Sequence, residues 1–179
     1  MNIRAMTIRS RLMIGFVFMG LLLLILGALN FASMGNLRQV TVDIEKNTIP
    51  SLEYIGELRN EVSLIRVAGL RYILASNAQE REQERAALTH VLGEFKQTQQ
   101  DYQPFISLPG ERENYEQLIE HINEYVTGVN KVFALVDQGQ QAAAQAFLVQ
   151  QMSSVVTDMN KNMDNLAEIN KKFASELSA

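Results

Sequence analysis

The sequence predicts an all-α fold: an antiparallel up-down four-helix bundle, preceded by a transmembrane helix that is continuous or nearly continuous with the first bundle helix. Three observations predict it. Residues 12–29 form an uninterrupted uncharged run, LMIGFVFMGLLLLILGAL. Beyond Met34 the chain is broken only at Pro50, Ser76-Asn77, Ser107-Leu-Pro-Gly110 and Asp137-Gln-Gly139-Gln, which leaves segments far longer than strands. Each segment carries apolar residues in alternating steps of three and four, the spacing of a helix stripe. Neither an alternating strand pattern nor an Asn-Gly hairpin signal competes with it.

The apolar run comes first. At 1.5 Å rise per residue, about twenty such residues match the hydrocarbon core of a bilayer. A cleaved secretory signal has a shorter apolar region and a small-x-small cleavage site. The present run is too long, and Asn30-Phe31-Ala32 is a poor match to that site, so we read an uncleaved anchor over residues 12–33. Arg4, Arg9 and Arg11 precede it with no acidic residue, whereas every Asp and Glu follows position 42. The positive-inside rule then keeps residues 1–11 in the cytoplasm and sends residues 34–179 outside. Removing those three arginines leaves 13 basic against 20 acidic residues, a balance of −7 for the exported part.

The bundle helices follow. In the first, Ile55, Leu58, Val62, Ile65, Gly69 and Tyr72 form the stripe. Pro50 removes a backbone donor and either kinks this helix, marks its restart after Thr48, or lies in a short loop. The second stripe is weaker: Leu88, Val91 or Leu92, Phe95, Thr98 or Gln99, and Tyr102. The third, Tyr115, Leu118, Ile122, Tyr125, Val129, Val132 and Val136, has no gap. The fourth runs Met152, Val156, Met159, Met163, Leu166, Asn170, Phe173 and Leu177. Its three methionines at helical spacing read as core rather than as a soft-metal surface, and Asn170 reads as a register-setting polar core residue. The stripe is still running at Leu177 with no capping glycine, so we expect a further element after Ala179.

Composition excludes several functions. The 179 residues contain no Cys, which removes disulfide frameworks, CxxC redox pairs and cysteine zinc sites. A net charge of −4 is wrong for a nucleic-acid binder. His90 and His121 are far apart in sequence and read as exposed helix residues. We find no catalytic or metal constellation and expect no cofactor. The candidate ligand-binding residues are arginines on the first bundle helix. Arg59 and Arg66 are seven apart and lie nearly in line, and Arg71 joins a stripe with Leu64, Ala68 and Ala75. A guanidinium offers a planar fork to carboxylate or phosphate oxygens. Each arginine also reads as a stripe-edge side chain paired with Glu57, Glu61 or an acid of a neighbouring helix. On the fourth helix Gln151, Ser154 and Thr157 are the polar candidates facing such a pocket, or else part of a solvated face.

Taken together, the basic start, the membrane helix, Asn47-Thr-Ile-Pro50-Ser-Leu, the run from Leu58-Arg59 through Ile65-Arg66 to Leu70-Arg71-Tyr72-Ile73-Leu74, Asp137-Gln-Gly139 and Asn165-Leu166-Ala-Glu-Ile-Asn170 resemble bacterial methyl-accepting chemotaxis proteins. The chain looks like the N-terminal part of one, with a periplasmic four-helix-bundle ligand-binding domain. The resemblance implies an inner-membrane homodimer that binds a small molecule at its interface and signals by a small slide of the last helix. It also implies a second membrane helix, a HAMP linker and a methylated signalling hairpin beyond these residues. Aspartate-type receptors of that family carry three first-helix arginines, the second five after the first and the third four later. Arg66 and Arg71 fit the first step but Ala75 stands at the third; with Arg71 as the last, Val67 and Val62 fill the others. An amino-acid ligand is therefore not carried over, and an organic acid or inorganic anion fits the arginines equally well. Two other readings stand beside this one: the sensor of a histidine kinase or cyclic-dinucleotide enzyme, and a membrane-anchored scaffolding bundle with no small ligand.

Overall fold

A computed structural model describes residues 8–177 and, within them, the side chains of residues 9, 12–28 and 42–177. Arg4, the side chain of Arg11, Asn30-Phe31-Ala32, Met34 and Ala179 therefore lie outside the description. The chain divides into two compact units, Met1–Asp43 and Ile44–Ala179.

The first unit is one helix, α1 (Ile8–Asp43). Its described apolar side chains are exposed around the whole circumference, from Leu12 at 60% through Phe16 at 73% to Leu24 at 75%. A helix that is apolar on every side has no solvent face. Among the described residues no helix is long and apolar enough to cross a membrane. The described part of the apolar run ends at Ala28, and its continuation at Leu29 and Phe31 lies outside the described side chains.

The second unit opens with a π turn, Ile44–Thr48, followed by α2 (Ile49–Leu74). Pro50 falls in the first turn of α2, directly after the π turn, and Thr48 before it keeps helical φ and ψ of −63° and −44°. Of the three readings of this proline, the short loop is the one not observed. Next come α3 (Ala78–Tyr102), a 3-10 turn at Gln103–Phe105, and α4 (Glu111–Asp137). The last arm is composite: α5 (Gln141–Ala146), a second π turn at Phe147–Gln151, and α6 (Ser153–Leu177). Among the described residues the architecture is all-α, and α2, α3, α4 and the composite arm form the antiparallel bundle.

The punctuation works as the residue types dictate. Asn77 caps α3 by accepting from the Glu80 N–H at 2.9 Å, and Glu80 accepts from the Ser76 N–H at 2.6 Å, a reciprocal arrangement that satisfies two free donors. Gly110 and Gly139 hold φ of 79° and 75°, a left-handed backbone that disfavours any residue with a Cβ.

The predicted stripes form the core. Ile55, Leu58, Val62, Ile65 and Tyr72 are buried on α2, every third-stripe residue is buried on α4, and Leu88, Val91, Phe95, Thr98 and Tyr102 are buried on α3. On the fourth stripe Met152, Met159, Met163, Leu166 and Asn170 are buried, Val156, Phe173 and Leu177 only partly so, and Val155 is buried beside Val156. Val155 and Val156 lie three and four residues after Met152, on the two edges of a stripe whose next members, Met159, Met163 and Leu166, stay buried. The methionines are core, with Met159 at 0% and Met163 at 1% exposure.

Packing is tightest between α2 and α3 and between α4 and α6, and α2 also approaches α4 closely. At Gly69 an added Cβ would stand 3.4 Å from a Val129 methyl, so the glycine lets the α2 backbone come near α4. Aromatic rings join both neighbours to α4. Tyr102 of α3 meets Tyr115 edge-on at 5.5 Å, and Tyr72 of α2 stacks on Phe133 at 3.8 Å.

Candidate functional site

A cavity of about 210 Å³ opens where α2, α4 and the second π turn meet, and Arg66, Leu70, Tyr125, Leu148, Ser153 and Val156 are among its lining residues. Arg66 arrives on α2 one residue past the core position Ile65, so its stem is half-buried while its guanidinium reaches the cavity. Tyr125 comes from the α4 stripe. Burial pushes its hydroxyl above the usual phenol range, and the adjacent, hydrogen-bonding Arg66 partly offsets this. Among the described residues no acidic side chain pairs with Arg66. An unpaired, partly desolvated guanidinium beside a phenol and a serine hydroxyl is equipped to receive a small anion, and Leu70, Leu148 and Val156 supply an apolar wall.

The other sequence candidates are placed differently. Arg59 is ion-paired with Asp164 of α6 at 2.7 Å on an exposed surface. Arg71 is exposed and does not line the cavity. Gln151, Ser154 and Thr157 are exposed, and the Thr157 hydroxyl donates to the Ser153 carbonyl at 3.0 Å. The serine that lines the cavity with Arg66 is Ser153, whose hydroxyl donates to the Gln150 carbonyl at 3.4 Å. Ser153 and Ser154 are neighbours and both exposed, and the stripe does not choose between them. Tyr125 was legible only as a core position; a tyrosine on a stripe beside an arginine was the available signal.

Polar side chains cluster at two further places. At the Asp137 end of the bundle, Tyr72 donates to Asp137 at 2.6 Å, Arg85 pairs with the same carboxylate, and Arg85 lies 5.0 Å over the Tyr72 ring. Burial and the bond to Asp137 push the Tyr72 hydroxyl up, with Arg85 opposing. At the Gly110 end, Glu111 is fully buried and accepts four bonds: from the Tyr102 hydroxyl at 2.9 Å, the Asn170 amide at 2.8 Å, and the backbone N–H groups of Ser107 at 2.9 Å and Leu108 at 3.0 Å. Burial, reinforced by the neighbouring Glu111, drives the Tyr102 hydroxyl far above the usual phenol range. His121, expected on an exposed face, is half-buried with Nδ1 3.0 Å from the side-chain oxygen of Asn162, which is buried beside Met163 on α6. His90 is exposed beside Glu94, as expected. Among the described residues no cluster of His, Asp and Glu is arranged to hold a metal ion.

A family model described as a four helix bundle sensory module for signal transduction matches residues 5–179. That description denotes a sensory module rather than a catalytic domain, and it agrees with the resemblance to chemoreceptor sensory regions. No curated protein matches the chain.

Proposed function

From the premise that the chain belongs to the family of four-helix-bundle sensory modules for signal transduction, we propose that it is the sensing region of a transmembrane chemoreceptor that binds a small organic or inorganic anion in the Arg66 cavity. The observation that carries this reading is half-buried Arg66, without an acidic partner among the described residues, lining an open-sided cavity with Tyr125 and Ser153. An anion there touches both α2, through Arg66, and the start of α6, through Ser153. Its occupancy favours the packing in which those two groups converge, which is the differential affinity that a two-state signal requires.

The remaining parts of the proposal have their own support. The all-round apolar surface of α1 is what lipid covers, and the arginines before it keep the N-terminus inside, so the acidic bundle lies in the periplasm. On α2, Leu70 and Leu74 are one turn apart and exposed at 48% and 78%; this apolar pair favours contact with α2 of a second copy. Leu70 belongs to both the pair and the cavity wall, so dimerisation would close the site.

The test is a thermal-shift screen of the full chain in detergent against organic acids, amino acids and inorganic anions, with hits titrated calorimetrically. Arg66→Ala is expected to weaken the hit by about tenfold or more, the worth of a charge-assisted hydrogen bond, while Arg59→Ala leaves it unchanged. Equal binding by Arg66→Ala and the parent would overturn the assignment.

A further inference from the structure

A second, larger groove of about 380 Å³ lies between α2 and α3, with Glu57 and Glu61 on one side and Glu94, Gln97, Thr98 and Asp101 on the other. Four carboxylates line it and no basic side chain does. Acidic surface is common on this chain, but Glu61 is a separate matter. It is 6% exposed and accepts one hydrogen bond, from the Thr98 hydroxyl at 2.6 Å, while its Oε2 is buried with no partner. Leaving a buried carboxylate oxygen unmet is unfavourable. Burial raises the Glu61 pKa, Glu57 and Glu94 add to the rise, and only Thr98 opposes it. A positive charge in the groove gives the unmet oxygen a partner, offsets the cost of burial and neutralises the repulsion from Glu57 and Glu94.

The layout of the acids selects the kind of cation. Among the described residues they do not converge into a metal-holding group. Glu57 and Glu61 are one turn apart, about 6 Å along α2, and Glu94 and Asp101 are about 10 Å apart along α3. Asp101 already accepts from the Gln97 amide at 3.0 Å. A compact ion reaches few of these groups. A flexible chain with charged nitrogens one or two helical turns apart reaches several, and its methylenes lie along the glutamate stems.

We propose that the α2–α3 groove binds a linear diamine or polyamine cation, seated on Glu57, Glu61 and Glu94. The site shares no residue with the Arg66 cavity, so either assignment can fail alone. Binding displaces a proton from Glu61 and therefore tightens as pH rises through that group's raised titration range. Glu57, Glu94 and Asp101 face the same groove, and His90 lies beside Glu94 at 3.4 Å.

The experiment is calorimetric titration of the full chain in uncharged detergent with putrescine and spermidine at fixed ionic strength, alongside butylammonium and magnesium chloride. The expected result is saturable binding of the diamine, tighter than the monoamine and weaker in acid. Glu61→Gln is expected to weaken it by at least about tenfold, the value of one buried charge-assisted hydrogen bond, with a melting temperature no lower than the parent's. Glu94→Gln, on exposed surface, weakens it severalfold and serves if Glu61→Gln folds poorly. Absence of saturable heat, an affinity unchanged in both variants, or magnesium matching putrescine at equal ionic strength would each overturn the proposal, the last showing only diffuse attraction to an acidic surface.

Discussion

The α2–α3 and α4–α6 contacts both bring antiparallel helices together on three-four stripes, but their edges differ. Along α4–α6, Asn170 bonds Glu111 at 2.8 Å, Asn165 bonds Asn114 at 3.0 Å, and Asn162 bonds Gln117 at 3.2 Å while facing His121 at 3.0 Å. Between α2 and α3 the Thr98–Glu61 bond stands in place of such a ladder, and it leaves one carboxylate oxygen unmet. Apolar stripes repeat and pack almost equally well after a slide of one turn, whereas directional bonds are lost by it. The difference teaches that α4–α6 is specified in register by side-chain amides, and that α2–α3 is held mainly by buried area.

The largest effect is expected at the base of the ladder. Glu111→Ala strands four donors at once and should lower stability by about 4 kcal/mol, within the range for breaking a buried polar network, measured by urea unfolding of the full chain in detergent. Leu58→Ala, at 0% exposure in the apolar contact, should lose about 3 kcal/mol from transfer and cavity terms. These two variants should differ in character as well as size. Spectra of the Glu111 variant are expected to broaden or double as alternative α6 registers become populated, and those of the Leu58 variant to stay sharp; two sharp sets would remove the distinction.

A middle-sized effect sharpens the comparison from the other side. Since the folded-state pKa of Glu61 is raised above its usual value of 4.5, the folded state holds the proton more tightly than the unfolded chain. Its contribution to stability is thus complete in acid below that value and is lost as pH rises through the raised pKa. Glu61→Gln, which keeps an acceptor for Thr98, should melt above the parent at neutral pH by an amount equivalent to about 1 kcal/mol, and the gap should vanish in acid. The smallest effect belongs to Arg59→Ala. Its pair with Asp164 is exposed on both sides, 46% and 68%, and should change stability by less than about 0.5 kcal/mol; a larger loss would mean that this pair also fixes α2 against α6.

The helices were legible because their stripes are local in sequence. The α4 stripe from Tyr115 to Val136 is buried throughout, and Asn77, Gly110 and Gly139 act where their residue types predict. The candidate site was legible only in part. Arg66 was visible as an arginine beside the α2 stripe, but the stripe does not choose between the neighbours Ser153 and Ser154, and it is Ser153 that lines the cavity. Glu61 and Glu111 are both carboxylates on helices whose surfaces are largely charged. Their burial is decided by Thr98, Tyr102 and Asn170, partners 37, 9 and 59 residues away, and such distances leave no periodic trace.

The π turn at Phe147–Gln151 also bears on insertions and deletions. A π turn is a helix carrying one surplus residue, so removing a residue there should restore ordinary helical winding without breaking the arm. One side of the cut must then swivel by about 100°. The α6 side is tied to α4 by amides along its length, while α5 is only Gln141–Ala146 with Ala144 buried. The short side would yield, turning Ala144 and Leu148 out of the core and leaving the α6 ladder in place. The same one-residue deletion within 157–161 has no surplus to absorb it and would put every amide downstream out of step with its partner.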